Sequence, residues 1–360
     1  MSAAPAADPA HPVSNFDLLR LFAALLVFWF HTDAMLGIPA PMLFSWVAPG
    51  ALGVFIFFVI SGYLVGKSWE HDPDALRFLA RRALRIFPAL VVLVLLTTLV
   101  LGPLLTTLPL GEYVRHPLFR QYFSNAILLP RYALPGVFEH ARVANVVNGS
   151  LWSLPVEFTC YLGLLALGVA RVPRWLLGGL TLAGCVATLA WSLDRSHEVV
   201  FYGMILQDVV QHGTYFLIGT CVGRFRLERF LTVTSLCVAI VAMIAAEPWP
   251  LASRIVSWFA FPAVFLTFGR ASSVAARGLA RLGDYSYGVY IYAFPVQQSV
   301  LYLWPSLPTL AYVLVALALT FACAAASWHL IERRAMRFKP RRRAPRAMPA
   351  EAGERAIRAA

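Results

Sequence analysis

The amino-acid sequence predicts an all-α integral membrane protein with about ten transmembrane helices and both termini in the cytoplasm. Hydrophobic residues make up 59% of the 360 residues and charged residues only 13%, and the mean hydropathy is +0.69. A soluble domain is about 45–50% apolar and about 25% charged, so this much apolar surface does not fit inside a soluble core. At about 20 residues for each span, the chain length suits about ten helices in one membrane domain.

Ten apolar segments are the candidate membrane spans. The sixth is short, and the ninth contains Pro295, which is expected to break the helical hydrogen-bond ladder. Together they form a transmembrane domain over residues 16–332, between a polar N-terminal tail (1–15) and a basic cytoplasmic C-terminal tail (333–360). The segments cover approximately residues 17–36, 50–67, 86–106, 151–170, 175–193, 209–223, 230–246, 253–269, 285–303 and 308–330.

Basic residues flank the apolar segments, which argues against nucleic acid as the reason for the net charge of +12. If the N-terminus is inside, the cytoplasmic segments hold all but six of the 30 Lys and Arg residues. This asymmetry follows the positive-inside rule and sets the predicted orientation, with anionic membrane lipid as a partner. The six exceptions are Arg115, Arg120, Arg131, Arg142, Arg195 and Arg254.

Residues 107–150 form a long predicted outer loop that contains FRQYFSNAILLP, a candidate interfacial helix. Loops longer than about 15 residues tend to be functional or disordered, so an active-site cover and a plain connector both stay open. The five cysteines lie inside apolar segments without metal-ligand spacing. We therefore expect buried free thiols and no metal site.

The first apolar segment, FDLLRLFAALLVFWFHTDAM, carries two ionisable side chains. Arg20 and His31 are eleven residues apart, which places them about 16 Å apart on one stripe of one helix. Arg20 is near the cytoplasmic end, where a snorkelling anchor is the simpler interpretation. His31 lies in the outer half of the bilayer, where ionisable groups usually face a bundle interior or a water-filled path. A structural histidine that a neighbouring helix satisfies fits this position equally well.

A carboxylate in the fourth segment has a matching predicted depth. In NGSLWSLPVEF, Glu157 lies about as far below the outer surface as His31 does. A carboxylate that pairs with an imidazole offsets the burial of both groups and fixes the histidine tautomer, as in general-base catalysis. The alternative is a purely structural bridge between two helices.

Further polar positions are candidates for a binding site. In RFLARRALRIFPAL, Arg82 and Arg85 are one turn apart on one face just before the third helix, whereas Arg81 points elsewhere. Two guanidinium groups on one face suit phosphate recognition, and ordinary positive-inside charge is the alternative. In GVFIFFVISGYLVG and LGDYSYGVYIYAFPVQQ, the residues that suit the lining of a cavity are Ser61, Tyr285, Ser286 and Tyr290.

Six motifs in this order resemble those of the membrane acyltransferase-3 family, the bacterial surface-polysaccharide O-acyltransferases. Arg20 and His31 match its arginine–histidine signature, Arg82 and Arg85 its RxxR pair, and SLWSLPVEF its SLWSL-x-E block. GVFIFFVISGYLVG, SYGVYIYAFPV and LIERR resemble its second-helix, SYxxYLxHxP and terminal IE motifs. The resemblance covers about residues 14–338. Ala293 stands where many relatives carry a histidine, so catalysis is not expected in the ninth helix.

This resemblance implies transfer of an acyl group, most often acetyl, from cytoplasmic acyl-CoA to a carbohydrate hydroxyl outside a bacterial inner membrane. Acetyl-CoA is then a substrate, and no tightly bound cofactor is expected. The implied roles are general base or transient acyl carrier for His31, orientation of His31 for Glu157, and donor binding for Arg20, Arg82 and Arg85. The main alternative is a transporter or flippase of a lipid-linked sugar, although the chain has no two-fold repeat of interrupted helices.

Overall fold

A computed structural model describes residues 14–193 and 198–340, which form a bundle of ten long helices. Most of the predicted polar tail (1–15) and of the predicted basic tail (333–360) lies outside the described residues. The ten helices are α1 (Phe16–Leu36), α2 (Pro49–His71), α3 (Ala75–Leu96), α4 (Ser153–Val169), α5 (Arg174–Leu193), α6 (Leu206–Arg224), α7 (Val233–Ala246), α8 (Pro250–Arg270), α9 (Ser286–Leu303) and α10 (Thr309–Ser327).

The largest boundary error in the predicted helices is at α3, which begins at Ala75 and not near residue 86. The carboxylate of Asp74 caps this helix by accepting a hydrogen bond from the backbone N–H of Arg77 at 2.9 Å. The charged residues of the first turns lower the local hydropathy, so a prediction from apolar segments begins the helix too late. These turns nevertheless keep the helical period. Arg82 and Arg85 therefore lie inside α3 and not before it.

Seven of the helical segments in the described ranges are long and apolar enough to cross a membrane. α6 and α9 are less apolar, and α7 has only 14 residues. The all-α membrane architecture is thus supported, whereas the count of ten spans and the side of each terminus stay predictions. The seven segments are Phe16–Leu36, Pro49–His71, Ala75–Leu105, Gly149–Val169, Arg174–Leu193, Pro250–Arg270 and Thr309–Phe338.

α2 is the central helix of the bundle and packs most extensively against α1 and α6. Two glycines permit the contact between α2 and α6, because a Cβ atom on either would overlap the other helix's backbone. A Cβ on Gly62 would meet the carbonyl of Phe216, and one on Gly219 would meet the carbonyl of Val59. Close approach through small residues is typical of helix pairs in membranes. α1, which carries the Arg20–His31 stripe, lies between α2 and α9.

The predicted break at Pro295 is wrong, because α9 runs without interruption from Ser286 to Leu303. A proline has no N–H for the carbonyl four residues earlier, so the carbonyl of Ile291 lacks its helical donor. The side-chain amide of Asn148 donates to this carbonyl at 2.8 Å, and its oxygen accepts from the backbone N–H of Ser150 at 3.0 Å. Asn148 is fully buried. It therefore replaces the missing bond and joins α9 to the segment before α4.

Replacing Asn148 with alanine is expected to lower the stability of the folded protein by about 1–3 kcal/mol, because a buried carbonyl would lose its donor. The carbonyl of Ile291 would be left without a hydrogen-bond donor, and the backbone N–H of Ser150 would lose its acceptor. The thermal midpoint of the purified protein in detergent measures this effect. The double variant Asn148→Ala with Pro295→Ala is the control, since an N–H at residue 295 restores the helical bond. Equal midpoints for the single and double variants would contradict the explanation.

The long loop between α3 and α4 is largely ordered by short helices. Leu110–Arg115 and Pro117–Tyr122 are α-helical and Phe123–Ile127 is a 3₁₀-helix, so the predicted helix in FRQYFSNAILLP is confirmed. A two-stranded antiparallel hairpin of Val200–Phe201 and Met204–Ile205, which the all-α prediction missed, precedes α6. All five cysteines are free thiols; Cys237 is exposed and the other four are half-buried, not fully buried as expected.

Candidate active site

A basic cavity of about 370 Å³ lies at the Arg20 end of the bundle; we call it the arginine cavity. α1, α2, α3, α4 and α9 contribute to its wall, as do the loop before α9 and the helical end of the chain after α10. Five cationic and three acidic side chains line it, so an anion is the ligand that its charge favours. The charged lining residues are Arg20, Arg81, Arg82, Arg85 and Lys339, with Asp17, Glu157 and Asp284.

Arg85 is paired with two carboxylates in this cavity. Its guanidinium lies 2.5 Å from Asp284 and 3.5 Å from Glu332, which follows α10 in a π-helical turn. Burial alone would raise the pKa of Asp284, but the positive charges of Arg85 and Arg20 hold it down at about 2. Asp284 therefore stays ionised. These ion pairs join α3 to the loop before α9 and to the last helical turns.

Arg20 is paired as well, with Asp17 at 2.6 Å and with Asp284 at 4.0 Å. Arg81, which was predicted to point away from the Arg82–Arg85 face, pairs with Asp72 at 2.7 Å although it also lines the cavity. The guanidinium groups of Arg77 and Arg81 hold the pKa of Asp72 well below its usual range by donating hydrogen bonds to it.

Arg82 differs from these neighbours, because its guanidinium has no hydrogen bond or ion pair within residues 14–193 and 198–340. Its carbon Cζ lies 5.9 Å from the ring centres of Phe78 and of Tyr161, in cation–π contact with both. Its Nε atom is buried without a partner. A half-buried guanidinium without a carboxylate partner suits a site that receives its counter-charge from a ligand.

Lys339 reaches the same cavity from the end of the described chain. Burial lowers the pKa of Lys339 to about 8, and the neighbouring charges of Arg85 and Arg82 lower it in the same direction. Its ammonium group is therefore close to titration near neutral pH, and an anionic ligand would favour its charged form.

Glu157 faces the arginine cavity and not His31. Its carboxylate accepts hydrogen bonds from the hydroxyl groups of Ser61, at 3.1 Å, and Tyr161. Nothing in the described structure pairs Glu157 with His31, whose Nδ1 is buried without a partner. The predicted pairing of His31 with Glu157 is therefore wrong. Two side chains at the same depth on two helices meet only if both helices turn those side chains toward each other.

His31 lines a second cavity of about 270 Å³, which we call the histidine cavity. Its imidazole lies edge-on to the ring of Phe294, with 4.9 Å between centres, and 5.8 Å from the ring of Phe30. The other polar or aromatic side chains of this cavity are Trp46, Phe55, Ser150, Trp152, Asp208, Gln211, His212, Arg254 and Tyr290.

The two cavities meet at Val54 and Tyr290, which line both of them. The hydroxyl of Tyr290 donates to the carbonyl of Ser150 at 3.1 Å and is also hydrogen-bonded to the hydroxyl of Ser153. Both junction residues are buried. The two cavities are therefore neighbours that share part of their walls at this point.

The family model described as an acyltransferase domain matches residues 13–329. The chain belongs to the acyltransferase-3 family. It is 32% identical to an O-acetyl transferase of Shigella phage Sf6, over 90% of this chain and 96% of that protein. It is 29% identical to nodulation protein 10 of Rhizobium leguminosarum bv. viciae, over 91% and 94% of the two chains.

A third relative, peptidoglycan O-acetyltransferase OatA of Listeria monocytogenes, is 24% identical over 89% of this chain and 55% of its own length. No solved structure matches the chain. This acyltransferase-3 protein is therefore a multi-pass membrane O-acyltransferase, and the alternative of a transporter or flippase has no support from the relatives.

The predicted lining residues of this acyltransferase divide into two groups. Ser61, Ser286 and Tyr290 line the arginine cavity. Tyr285, the residue before α9, lies outside that lining, because its hydroxyl is hydrogen-bonded to Nε2 of His329 at 3.0 Å on the exposed side. Ala293 is buried in an apolar cluster with Phe28, Val300, Tyr312 and Ala316.

Sequence reasoning missed several polar residues of the two cavities, including three that carry or can carry charge: Asp284, Lys339 and His212. Asp284 stands in a short loop, and Lys339 stands in a basic run that looked like an anchor. His212 is in the sixth apolar segment but belongs to no quoted motif. The one available signal was that His212, like His31, is an ionisable residue inside an apolar segment.

Proposed function

We propose that this enzyme transfers an acyl group, most simply acetyl, from cytoplasmic acyl-CoA to a hydroxyl of a cell-surface carbohydrate. The observation that carries the proposal is the junction of two chemically different cavities at Val54 and Tyr290. One cavity is basic and suits the anionic donor. The other contains His31, which suits activation of a hydroxyl. The names of the relatives, which include O-acetyl transferases, support acetyl as the group transferred.

The arginine cavity holds the phosphate-bearing donor in this proposal. Arg82 and Lys339 take the phosphate charge, because Arg85 and Arg20 already have carboxylate partners. The proposed orientation follows from the positive-inside rule, which puts this end of the bundle in the cytoplasm of a bacterial inner membrane. Acyl-CoA is a substrate of the cytoplasm, so donor and cavity are then on the same side.

His31 acts as the general base in the transfer step. The acceptor oxygen attacks the thioester carbonyl, a C–O bond forms and the C–S bond breaks. His31 takes the hydroxyl proton and returns it to the departing thiolate, so CoA leaves as the thiol. In the covalent variant, the imidazole nitrogen attacks the thioester carbonyl, an N–C bond forms, the C–S bond breaks, and CoA leaves as the thiol with the proton of the imidazole. The acceptor oxygen then displaces the imidazole, which takes up the hydroxyl proton. Glu157 has no direct part in orienting His31, because it is bonded to Ser61 and Tyr161.

The test uses the full chain in sealed vesicles of inner-membrane lipid. Radiolabelled acetyl-CoA is supplied on one side, and surface glycan that mild alkali has freed of O-acyl groups is supplied on the other. We expect labelled glycan only when acetyl-CoA is on the side of the arginine cavity. Product formation with the donor on the opposite side alone would contradict the proposed orientation, and no transfer in either arrangement would contradict the proposed function.

Donor binding is expected to weaken as the pH rises through about 8, where Lys339 loses its proton. Because of this lowered pKa, the ammonium group of Lys339 is charged below about pH 8 and neutral above it. Its attraction to phosphate is therefore lost as the pH rises. Bound phosphate raises the pKa of Lys339 again, which makes the affinity pH-dependent between pH 7 and 9. Isothermal titration with CoA measures this dependence. Lys339→Arg should bind CoA equally well at pH 7 and at pH 9, because its side chain keeps its charge. If the affinity of this variant for CoA depends on pH as that of the wild type does, Lys339 is not the titrating group.

A further inference from the structure

A third cavity of about 250 Å³ adjoins the histidine cavity. It lies between the end of α5, the segment before α6, α6 itself and α8. Three of its residues, Asp208, Gln211 and Arg254, also line the histidine cavity. The two cavities therefore adjoin at these three residues, which differ from the pair that adjoins the arginine cavity; we call the two cavities together the groove.

The side chains of this groove combine aromatic rings with carboxylates and amides. Trp152 lines the histidine cavity with His31, and Trp191 lines the third cavity with Glu198. Indole rings offer a large apolar surface with a polar N–H, and carboxylate and amide groups accept or donate several hydrogen bonds at fixed angles. A ring with apolar C–H faces and hydroxyl groups at its edges matches both kinds of side chain. The groove therefore has the chemistry of a saccharide site.

His212 is the most specific feature of the groove. Its Nδ1 lies 2.7 Å from the backbone carbonyl of Asp208, one helical turn earlier. A carbonyl only accepts hydrogen bonds, so Nδ1 carries the proton and Nε2 presents a lone pair. The imidazole is 4% exposed, and its Nε2 has no hydrogen-bond partner among the described residues.

Aromatic rings fix the position of this imidazole. The ring centres of Phe55 and Trp152 are each 5.1 Å from that of His212, and that of Phe58 is 5.2 Å away. A buried acceptor without a donor costs free energy, which a hydroxyl donor from a ligand would recover. Among the described residues, no hydrogen bond fixes the tautomer of His31, whereas the bond to the Asp208 carbonyl fixes that of His212.

We infer that this groove binds the acceptor saccharide and that Nε2 of His212 accepts a hydrogen bond from one of its hydroxyl groups. The inference rests on the proposed function, since it names the place where the acceptor of that reaction lies. It assigns the sugar rings to the groove between His31 and Trp191, with the reacting hydroxyl at the His31 end. His212 then orients the acceptor, and His31 removes the proton.

Direct binding of the acceptor, without donor, is the decisive measurement. The probe is surface glycan from cells that carry the gene, freed of O-acyl groups by mild alkali, titrated into the purified full-length protein. We expect His212→Phe and Trp191→Ala each to weaken glycan binding by about tenfold or more, with unchanged affinity for CoA. His212→Gln, which keeps a hydrogen-bond acceptor, should retain more affinity than His212→Phe. His329→Gln, a histidine outside the groove, is the matched control and should bind as the wild type does.

The inference is overturned if the wild type does not bind the glycan, or if the groove variants bind it with wild-type affinity. If His212→Phe does not fold, Trp191→Ala and His212→Gln decide the question alone. Failure of the proposed function has a different signature, because the wild type then transfers no acetyl group whether or not it binds the glycan. Loss of CoA affinity in the groove variants would also count against the inference, since the groove is separate from the arginine cavity.

Discussion

Replacing His31 with alanine is expected to lower the rate of acyl transfer by at least about 100-fold, because general-base catalysis contributes about 10²–10⁴-fold. His31 is the ionisable residue at the end of the Arg20–His31 stripe, and it lines the cavity that adjoins the donor site. The side chain makes no hydrogen bond with the described residues, so its removal breaks no polar contact that holds the fold. CoA affinity and thermal midpoint should therefore stay near the wild-type values.

The same variant separates the two mechanisms proposed for His31. Incubation with radiolabelled acetyl-CoA in the absence of glycan should leave label on the protein only if an acyl-enzyme forms. Label on the wild type that is absent from His31→Ala supports the acyl carrier, and absence of label from both supports the general base. Wild-type rates of glycan acylation by His31→Ala would exclude both roles.

The second large effect is expected for Arg82, which has no carboxylate partner in the described structure. Hydrogen bonds to charged groups contribute about 1.5–3 kcal/mol, so Arg82→Ala should weaken CoA binding by about 10- to 150-fold. Arg82→Lys should bind CoA more tightly than Arg82→Ala but less tightly than the wild type, because lysine keeps the charge but not the bidentate hydrogen bonding of a guanidinium group. The affinities of each variant for CoA and for dephospho-CoA, when compared, show which phosphate of the donor Arg82 contacts.

Arg85→Ala is the matched comparison, since Arg85 lies one turn away in the same cavity. Its loss leaves Asp284 and the buried Glu332 without their shared cation, and breaking such a pair is destabilising. We expect a lower thermal midpoint as the main effect, with a smaller loss of CoA affinity than for Arg82→Ala. Equal losses of affinity at both positions would contradict the division of roles between the two arginines.

The helical period explains what could be predicted from the sequence. Arg20 and His31 were expected on one stripe, and the structure places them in two adjoining cavities along α1. The same reasoning failed for His31 and Glu157, since it gives the depth of a residue but not the direction in which its helix faces. The direction depends on packing: α4 presents Glu157 to Ser61 of α2, whereas His31 contacts Phe294 of α9.

Pro295 and Lys339 show two further limits of sequence reasoning. A proline predicts a lost hydrogen bond, but it does not show that Asn148, far away in sequence, supplies a replacement. The basic run that contains Lys339 has the composition of a membrane anchor, and nothing in it indicates that the last helical turns fold back against Arg85. Both features depend on contacts between segments more than 100 residues apart.

The junction at Tyr290 and Val54 also bears on the permeability of the membrane. An enzyme whose substrates come from opposite sides needs openings on both sides, and a continuous aqueous path would discharge the proton gradient of the cell. Here the phenol ring of Tyr290 and the side chain of Val54 stand between the two cavities, and both are buried. Tyr290→Ala should therefore make cells leak protons, and this defect would persist even when His31 is also replaced.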